Sequence, residues 1–498
     1  MGVEQQHGVV FPRSADGRRS TVETGRAVVA DALRKVDPPG AMEAERETNW
    51  RSGYLLHFRR LLEAGLSSRQ AALTIASDGL GSLHERMRVV GADGSDLPLA
   101  EWSTDESDRE LGTIEVRGEG EIETELSLPY HGRRLRGDDL HDRLDAWVTA
   151  GVMEPSAAEA VREVMANPDW LRLEGRTVAV LGAGAEMGPL QALLHWGATV
   201  AAVDLPRPDI WRRVLEAAER GAGTALLPVD PGMAAGGVAG RGGDVHEHTG
   251  ADLLAEVPAV AEWLESLPGE LVLGNYVYAD GATNVRVSMA VDALSTRLLA
   301  ARNDVALAFL ATPTDVFAVP GDAVDQATGS YEGRSTVAKL VGRPLRTLSA
   351  GRLLHRSYVP GSDPGINDSL VAQQGPNYAL AKRLQRWRAA VAREAGTTVS
   401  LNVAPPTRTR SVVKNRALAA AYAGAHRFGV EVFEPATSNV LMAALLVHDL
   451  HTGGGPVHEH PWQDEAEKAV HGGLWRTGYA PRSALGLAAL LGYGAARA

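Results

Sequence analysis

The stretch Val178–Pro208, "VAVLGAGAEMGPLQALLHWGATVAAVDLPRP", decides how the rest of the chain is read. It opens on an apolar run, breaks at Gly182, Gly184 and Gly188, and closes on a second apolar run that ends in Asp204. Apolar runs without alternation mark strands buried on both faces, as in a parallel sheet covered by helices. A glycine turn between two such strands lets an anion approach main-chain amides, because no side chain stands in the way. An acid about 20 residues on is placed to hold ribose hydroxyls. Asp204 lies 22 positions after Gly182. The unit reads as strand, turn, helix, strand, with Gly182, Gly184, Gly188 and Asp204 as a dinucleotide-binding set.

The same texture continues downstream in "TALLPVD", "ELVLGNYV", "VALAFLAT" and "TTVSLNV", each separated from the next by a helical stretch. This predicts an α/β domain, a doubly wound parallel sheet of Rossmann-like type, over residues 171–450. Asp230, at the end of "TALLPVD", falls where an adenine pocket is lined. Asp204 repels a 2′-phosphate and favours NAD over NADP, a preference that Arg207 weakens.

Before this domain, residues 1–40 are aperiodic and read as a loose leader. Residues 41–170 read as a mostly helical N-terminal α+β domain, with a hairpin in "GTIEVRGEGEIETELSLP" and a helix restarted at Pro155. Residues 451–498 form a tail whose "GGLWRTGYAPRSALGLAALLG" covers the domain's own core or a second copy of the chain.

Composition narrows the function. The chain of 498 residues carries a formal charge of -12 with no basic stripe, which argues against nucleic acid as a partner. It has no cysteine, so disulfides, thiolate metal sites and a cysteine nucleophile are excluded. The N-terminal stretch lacks the apolar core of a signal peptide, and no run approaches the ~20 apolar residues of a membrane helix, so the expectation is a cytoplasmic protein acting on a small molecule.

A second constellation lies in "GPNYALAKRLQRWRAAVAREAGTTVSLNVAPPTRTRSV". Tyr378 and Lys382 are four apart at the start of a helix pattern and share one face. An ammonium there, with an oxidised nicotinamide beside it, lowers a phenol pKa towards neutrality and makes tyrosine an acid or base. Together with the glycine turn, this resembles the short-chain dehydrogenase/reductase family. The family's glycine motif corresponds to "LGAGAEMG", in which Gly182 and Gly188 match, Glu186 replaces the middle glycine and Gly184 is an extra one. Its tyrosine–lysine pair matches Tyr378 and Lys382, and its "NAxxPGxxxT" segment resembles "NVAPPTRTRS", with Asn402 matching and Thr409 or Ser411 taking the hydroxyl that contacts the nicotinamide amide.

The resemblance implies further roles. Asn275 lies near the cofactor, Asn284 holds a proton-relay water, and Thr312, or Thr314, takes the catalytic serine's place. It implies an NAD- or NADP-dependent enzyme that interconverts an alcohol and a carbonyl. Thr312 and Tyr378 are 66 residues apart, however, because of an insert over residues 315–375 that reads as a lid or substrate surface. Arg408 and Arg410 follow the proline turn and suit cofactor phosphates or an anionic substrate. His448, His451, His458 and His460, with His246 and His248, crowd into two short stretches, and no carboxylate completes a metal site there. Two other readings stay open: an epimerase or dehydratase with no net redox change, and a non-catalytic dinucleotide sensor.

Overall fold

The computed structural model describes residues 7–235 and 245–494. Its centre is a seven-stranded sheet of β1 (Gly112–Arg117), β2 (Arg176–Leu181), β3 (Thr199–Val203), β4 (Thr224–Val229), β5 (Glu270–Asn275), β6 (Val305–Ala311) and β7 (Val399–Val403). The order is β7-β6-β5-β2-β3-β4-β1, and every pairing is parallel except that of β1 with β4. The six apolar runs singled out in the sequence are the six parallel strands.

Alternate residues of these strands enter two separate cores. Ala179, Leu181, Ala201, Leu273, Leu307 and Val403 point into one, with helices Arg69–Arg86, Val257–Ser266, Ala282–Ala301 and Pro376–Glu394. Val178, Val180, Val200, Ala202, Leu227 and Val272 point into the other, with helices Pro155–Ala166, Leu190–His195, Pro208–Arg220 and Pro435–His451. Both faces of the sheet are thus dry, which explains why the strands show no polar alternation. The connections before β4 run on one face and those after it on the other. The chain reverses direction beside β2, where β2 and β5 diverge, and that crevice is where α/β sheets bind ligands.

The N-terminal third differs from expectation. Residues 7–40 are not a loose leader. Gly8–Val10 pairs with Arg88–Val90, and Thr21–Leu33 is a helix capped by Ser20, whose hydroxyl accepts from the Glu23 amide at 3.2 Å. Val28, Val29 and Leu33 are fully buried, and burial of that stripe stabilises the segment. Nor is there an independent N-terminal unit, since β1 is the outer strand of the main sheet and Arg69–Arg86 packs on Pro376–Glu394. The predicted hairpin is absent in that form: β1 pairs with β4, Ile114 opposite Leu227, and only Leu128–Tyr130 and Arg133–Leu135 make a short hairpin. Pro155 does open a helix, at its first position.

The insert is folded rather than a loop. Val316–Val319 pairs antiparallel with Gly365–Asp368, and helices Gly321–Glu332 and Thr336–Leu348 lie between them. In the tail, helix Pro481–Gly492 packs against Arg416–Gly424. Residues 1–6 of the expected leader and 495–498 of the tail lie outside the described residues. Among the described residues no helix is long and apolar enough to cross a membrane.

Candidate active site

The sheet brings the ends of β2, β3, β5 and β6 to one edge, and most of the candidate residues sit there. Gly182 follows β2 with φ +85, in the left-handed region, and its amide donates to Val203 O at 2.8 Å. A Cβ at that position would stand 3.0 Å from Tyr276 O, so glycine is required by both conformation and space. Gly184 is explained by packing: a Cβ would meet Ile210 Cγ2 at 2.6 Å. Its amide donates to Asp204 Oδ2 at 2.8 Å, which ties the acid at the end of β3 to the turn. Burial raises the Asp204 pKa, with the Gly184 amide opposing it.

The turn is longer than the motif implies. No helix begins at Gly188; it starts at Leu190, after Pro189. The Gly188 amide donates to Asn439 Oδ1 at 3.2 Å, and Asn439 Nδ2 returns to Glu186 O at 2.9 Å. Glu186, standing for the middle glycine, reaches across the turn and accepts from the Arg410 amide at 2.7 Å. Thr409 caps the helix Arg410–Lys414 from one residue before and shares a hydrogen bond with Ser411 Oγ at 3.0 Å. A carboxylate held beside the turn repels an incoming diphosphate. If the turn receives a dinucleotide, Glu186→Gln tightens NADH binding by about fivefold, a gain of about 1 kcal/mol from removing one like charge near the surface, read by fluorescence titration.

The phenol and its neighbours come from β6, the loop after β5 and helix Pro376–Glu394. The Tyr378 phenol lies beside Thr312, whose Oγ1 is 2.8 Å from Thr314 Oγ1. Burial raises the Tyr378 pKa; the Thr312 hydroxyl lowers it and the Asp315 charge raises it further. Tyr278, edge-on to Tyr378 with ring centroids 6.4 Å apart, closes another side. Asn284, buried in helix Ala282–Ala301, accepts from the Ala279 amide at 3.2 Å and so fixes the loop that carries Tyr278.

Lys382 departs from expectation. Its ammonium donates to Leu310 O at 3.2 Å and to Gln385 Oε1 at 3.1 Å, and the causes that set the Tyr378 pKa do not include it. Burial lowers the Lys382 pKa to about 8. Gln385 passes the contact on, donating to Asn275 Oδ1 at 3.4 Å. Lysine, glutamine and asparagine thus form one chain from the helix to the end of β5. Gln385 escaped sequence reasoning, although its place three residues after Lys382 is the signal that could have found it. Nothing local in the sequence marks Tyr278 or Tyr422.

Comparison with protein-family models, curated proteins and solved structures finds no match. The site therefore has to be read from its own chemistry.

The other candidates go elsewhere. Asp230 accepts from Arg109 at 2.9 Å, so the end of β4 is engaged in an ion pair with the N-terminal segment. Asn402 is buried in β7 and donates to Ser400 Oγ at 3.0 Å and Asp449 Oδ2 at 2.8 Å. The histidines disperse. His448 bonds Glu163 at 3.1 Å, His451 stacks on Trp170, His458 pairs with Glu467 at 2.6 Å and His460 caps the helix Pro461–Ala466.

Proposed function

We propose that this protein is an NAD(P)-dependent oxidoreductase on a Rossmann-like, doubly wound fold, of short-chain dehydrogenase type, interconverting an alcohol and a carbonyl. The approach of the Tyr378 phenol to Thr312, whose Oγ1 lies 2.8 Å from Thr314 Oγ1, carries the reading. Two residues far apart in sequence, one from a helix start and one from a strand end, bring their hydroxyls to the sheet edge where dinucleotides bind in such folds.

The residues present fit such a coenzyme. The left-handed turn at Gly182 admits no side chain, Asp204 stands at the end of the neighbouring strand for ribose hydroxyls, and Asn275 and Lys382 extend the polar edge past β5. Asp204 favours NAD, and Arg207 and Arg213, whose charges reach it, soften that choice. When bound, the coenzyme supplies or accepts the hydride. Thr312 orients the substrate oxygen, Tyr378 gives it a proton in reduction and takes one in oxidation, and Lys382 holds ribose hydroxyls beside Asn275.

The reading is tested by reduction of simple aldehydes with NADH and NADPH across pH. With Lys382 losing its charge near pH 8, kcat/KM is expected to fall above that pH. In Lys382→Arg the limb disappears, because a guanidinium stays charged to above pH 12. Turnover that is flat from pH 6 to 10 in the unaltered protein contradicts the role given to Lys382, and no turnover with either coenzyme contradicts the function.

A further inference from the structure

A pocket of about 100 Å³ opens beside Thr314 and Tyr422. Thr314, hydrogen-bonded to Thr312, forms part of its wall, as does Tyr422, whose phenol lies close enough to Tyr378 to feel its charge. The remaining wall is chiefly apolar, built by Leu418, Ala421, Val430, Leu485 and Ala488. Resting on the oxidoreductase reading above, we propose that the carbonyl or alcohol substrate carries a compact hydrocarbon body, and that the C-terminal helix Pro481–Gly492 builds the pocket that selects it.

Several polar groups of the wall are already engaged. The Thr477 hydroxyl donates to Phe428 O at 2.6 Å and the Ser369 hydroxyl to Asn367 Oδ1 at 2.5 Å. Among the described residues that line it, Arg482 carries the charge, and Asp368 neutralises it at 2.7 Å. A sugar or polyol placed here would give up more hydrogen bonds to water than so apolar a wall returns, whereas a hydrocarbon gives up none. A cavity of about 150 Å³ lined by apolar side chains takes up benzene, so this one holds roughly four to six carbons.

The tail helix is fixed at main-chain contact. A Cβ on Gly424 would lie 2.0 Å from Ala488 O, so helices Arg416–Gly424 and Pro481–Gly492 touch backbone to backbone. A wall anchored this closely sets a definite depth. In this proposal the carbonyl lies beside Thr314, whose hydroxyl is bonded to Thr312, and the hydrocarbon lies among Leu418, Val430 and Leu485.

Two substitutions act in opposite directions: Ala421→Phe fills the pocket and Leu485→Ala deepens it. Saturation-transfer NMR with cyclohexanone, without coenzyme, reports binding, and kcat/KM for propanal, hexanal and octanal reports selection. The unaltered protein is expected to bind cyclohexanone and to prefer hexanal over propanal by at least about tenfold, the usual worth of even one buried methylene. Ala421→Phe loses the cyclohexanone signal and the preference, while its affinity for NADH stays unchanged. Leu485→Ala, which only removes atoms, moves the optimum to octanal. Absence of cyclohexanone binding, or binding and chain-length preference unaltered in both variants, overturns the proposal. Cyclohexanone binding abolished by Ala421→Phe in a protein that turns over no aldehyde supports the pocket and removes the redox reading alone.

Discussion

Tyr378→Phe is expected to lower kcat for carbonyl reduction by about 10²- to 10⁴-fold, the usual contribution of a positioned acid or base. Coenzyme affinity should not change, because the phenol lies beside Thr312 and not at the glycine turn. Thr312→Val should lower kcat as well, by removing the group that orients the substrate oxygen. The two losses should be less than additive in the double variant, since the hydroxyls act as one unit. Full activity in Tyr378→Phe would transfer the proton step to Tyr278 or Tyr422. The coenzyme assignment would survive that outcome.

The second large effect is on stability. Asp315 is almost fully buried three residues after Thr312 and accepts from Arg383 and Arg386, each at 2.7 Å, while its Oδ1 also accepts from the Val316 amide. Both guanidiniums are buried; Arg386 has a second partner in Glu465 at 2.6 Å, and among the described residues Arg383 forms an ion pair with Asp315 alone. Asp315→Ala leaves the Arg383 charge without a partner in a dry site, a loss of about 3 to 5 kcal/mol. It should appear as a lower denaturation midpoint in urea with an unchanged slope. The arginines hold the Asp315 carboxyl well below its usual pKa. A depressed folded-state pKa gives stability that is present above the unfolded value and lost as pH falls through the folded one. The gap between the unaltered protein and Asp315→Ala should therefore be widest at neutral pH and close in strong acid. Because the Asp315 charge also raises the Tyr378 pKa, any folded Asp315→Ala should show an activity profile displaced to lower pH.

The parallel strands were legible in the sequence for a physical reason. Burial on both faces leaves no room for polar alternation, so each strand is a bare apolar run ending at a turn residue. Tyr378 and Lys382 were legible as a pair because helix geometry is local. What the sequence could not convey was long-range. The partner of β1 is more than a hundred residues away, and Ile114 opposite Leu227 leaves no local trace. The helix Thr21–Leu33 lies between Arg-, Pro- and Gly-rich flanks, and its buried stripe gains meaning only against the rest of the core. Within the site, the direction of the Lys382 ammonium depends on Leu310 and Gln385, and the closeness of Tyr278 and Tyr422 to the phenol depends on the loop after β5 and the helix Arg416–Gly424. Glu186 shows the same limit: a substitution in a motif is visible, but its bond to the Arg410 amide is not.

All of these roles presuppose a dinucleotide along the sheet edge between Asp204 and Lys382. Calorimetric titration of the whole chain with NADH and with NADPH tests that claim most directly. The account predicts saturable one-to-one binding of at least one of them, weakened in Asp204→Ala through loss of the contact to the ribose hydroxyls. Absence of binding heat with both coenzymes up to millimolar concentration, at two temperatures, would contradict it.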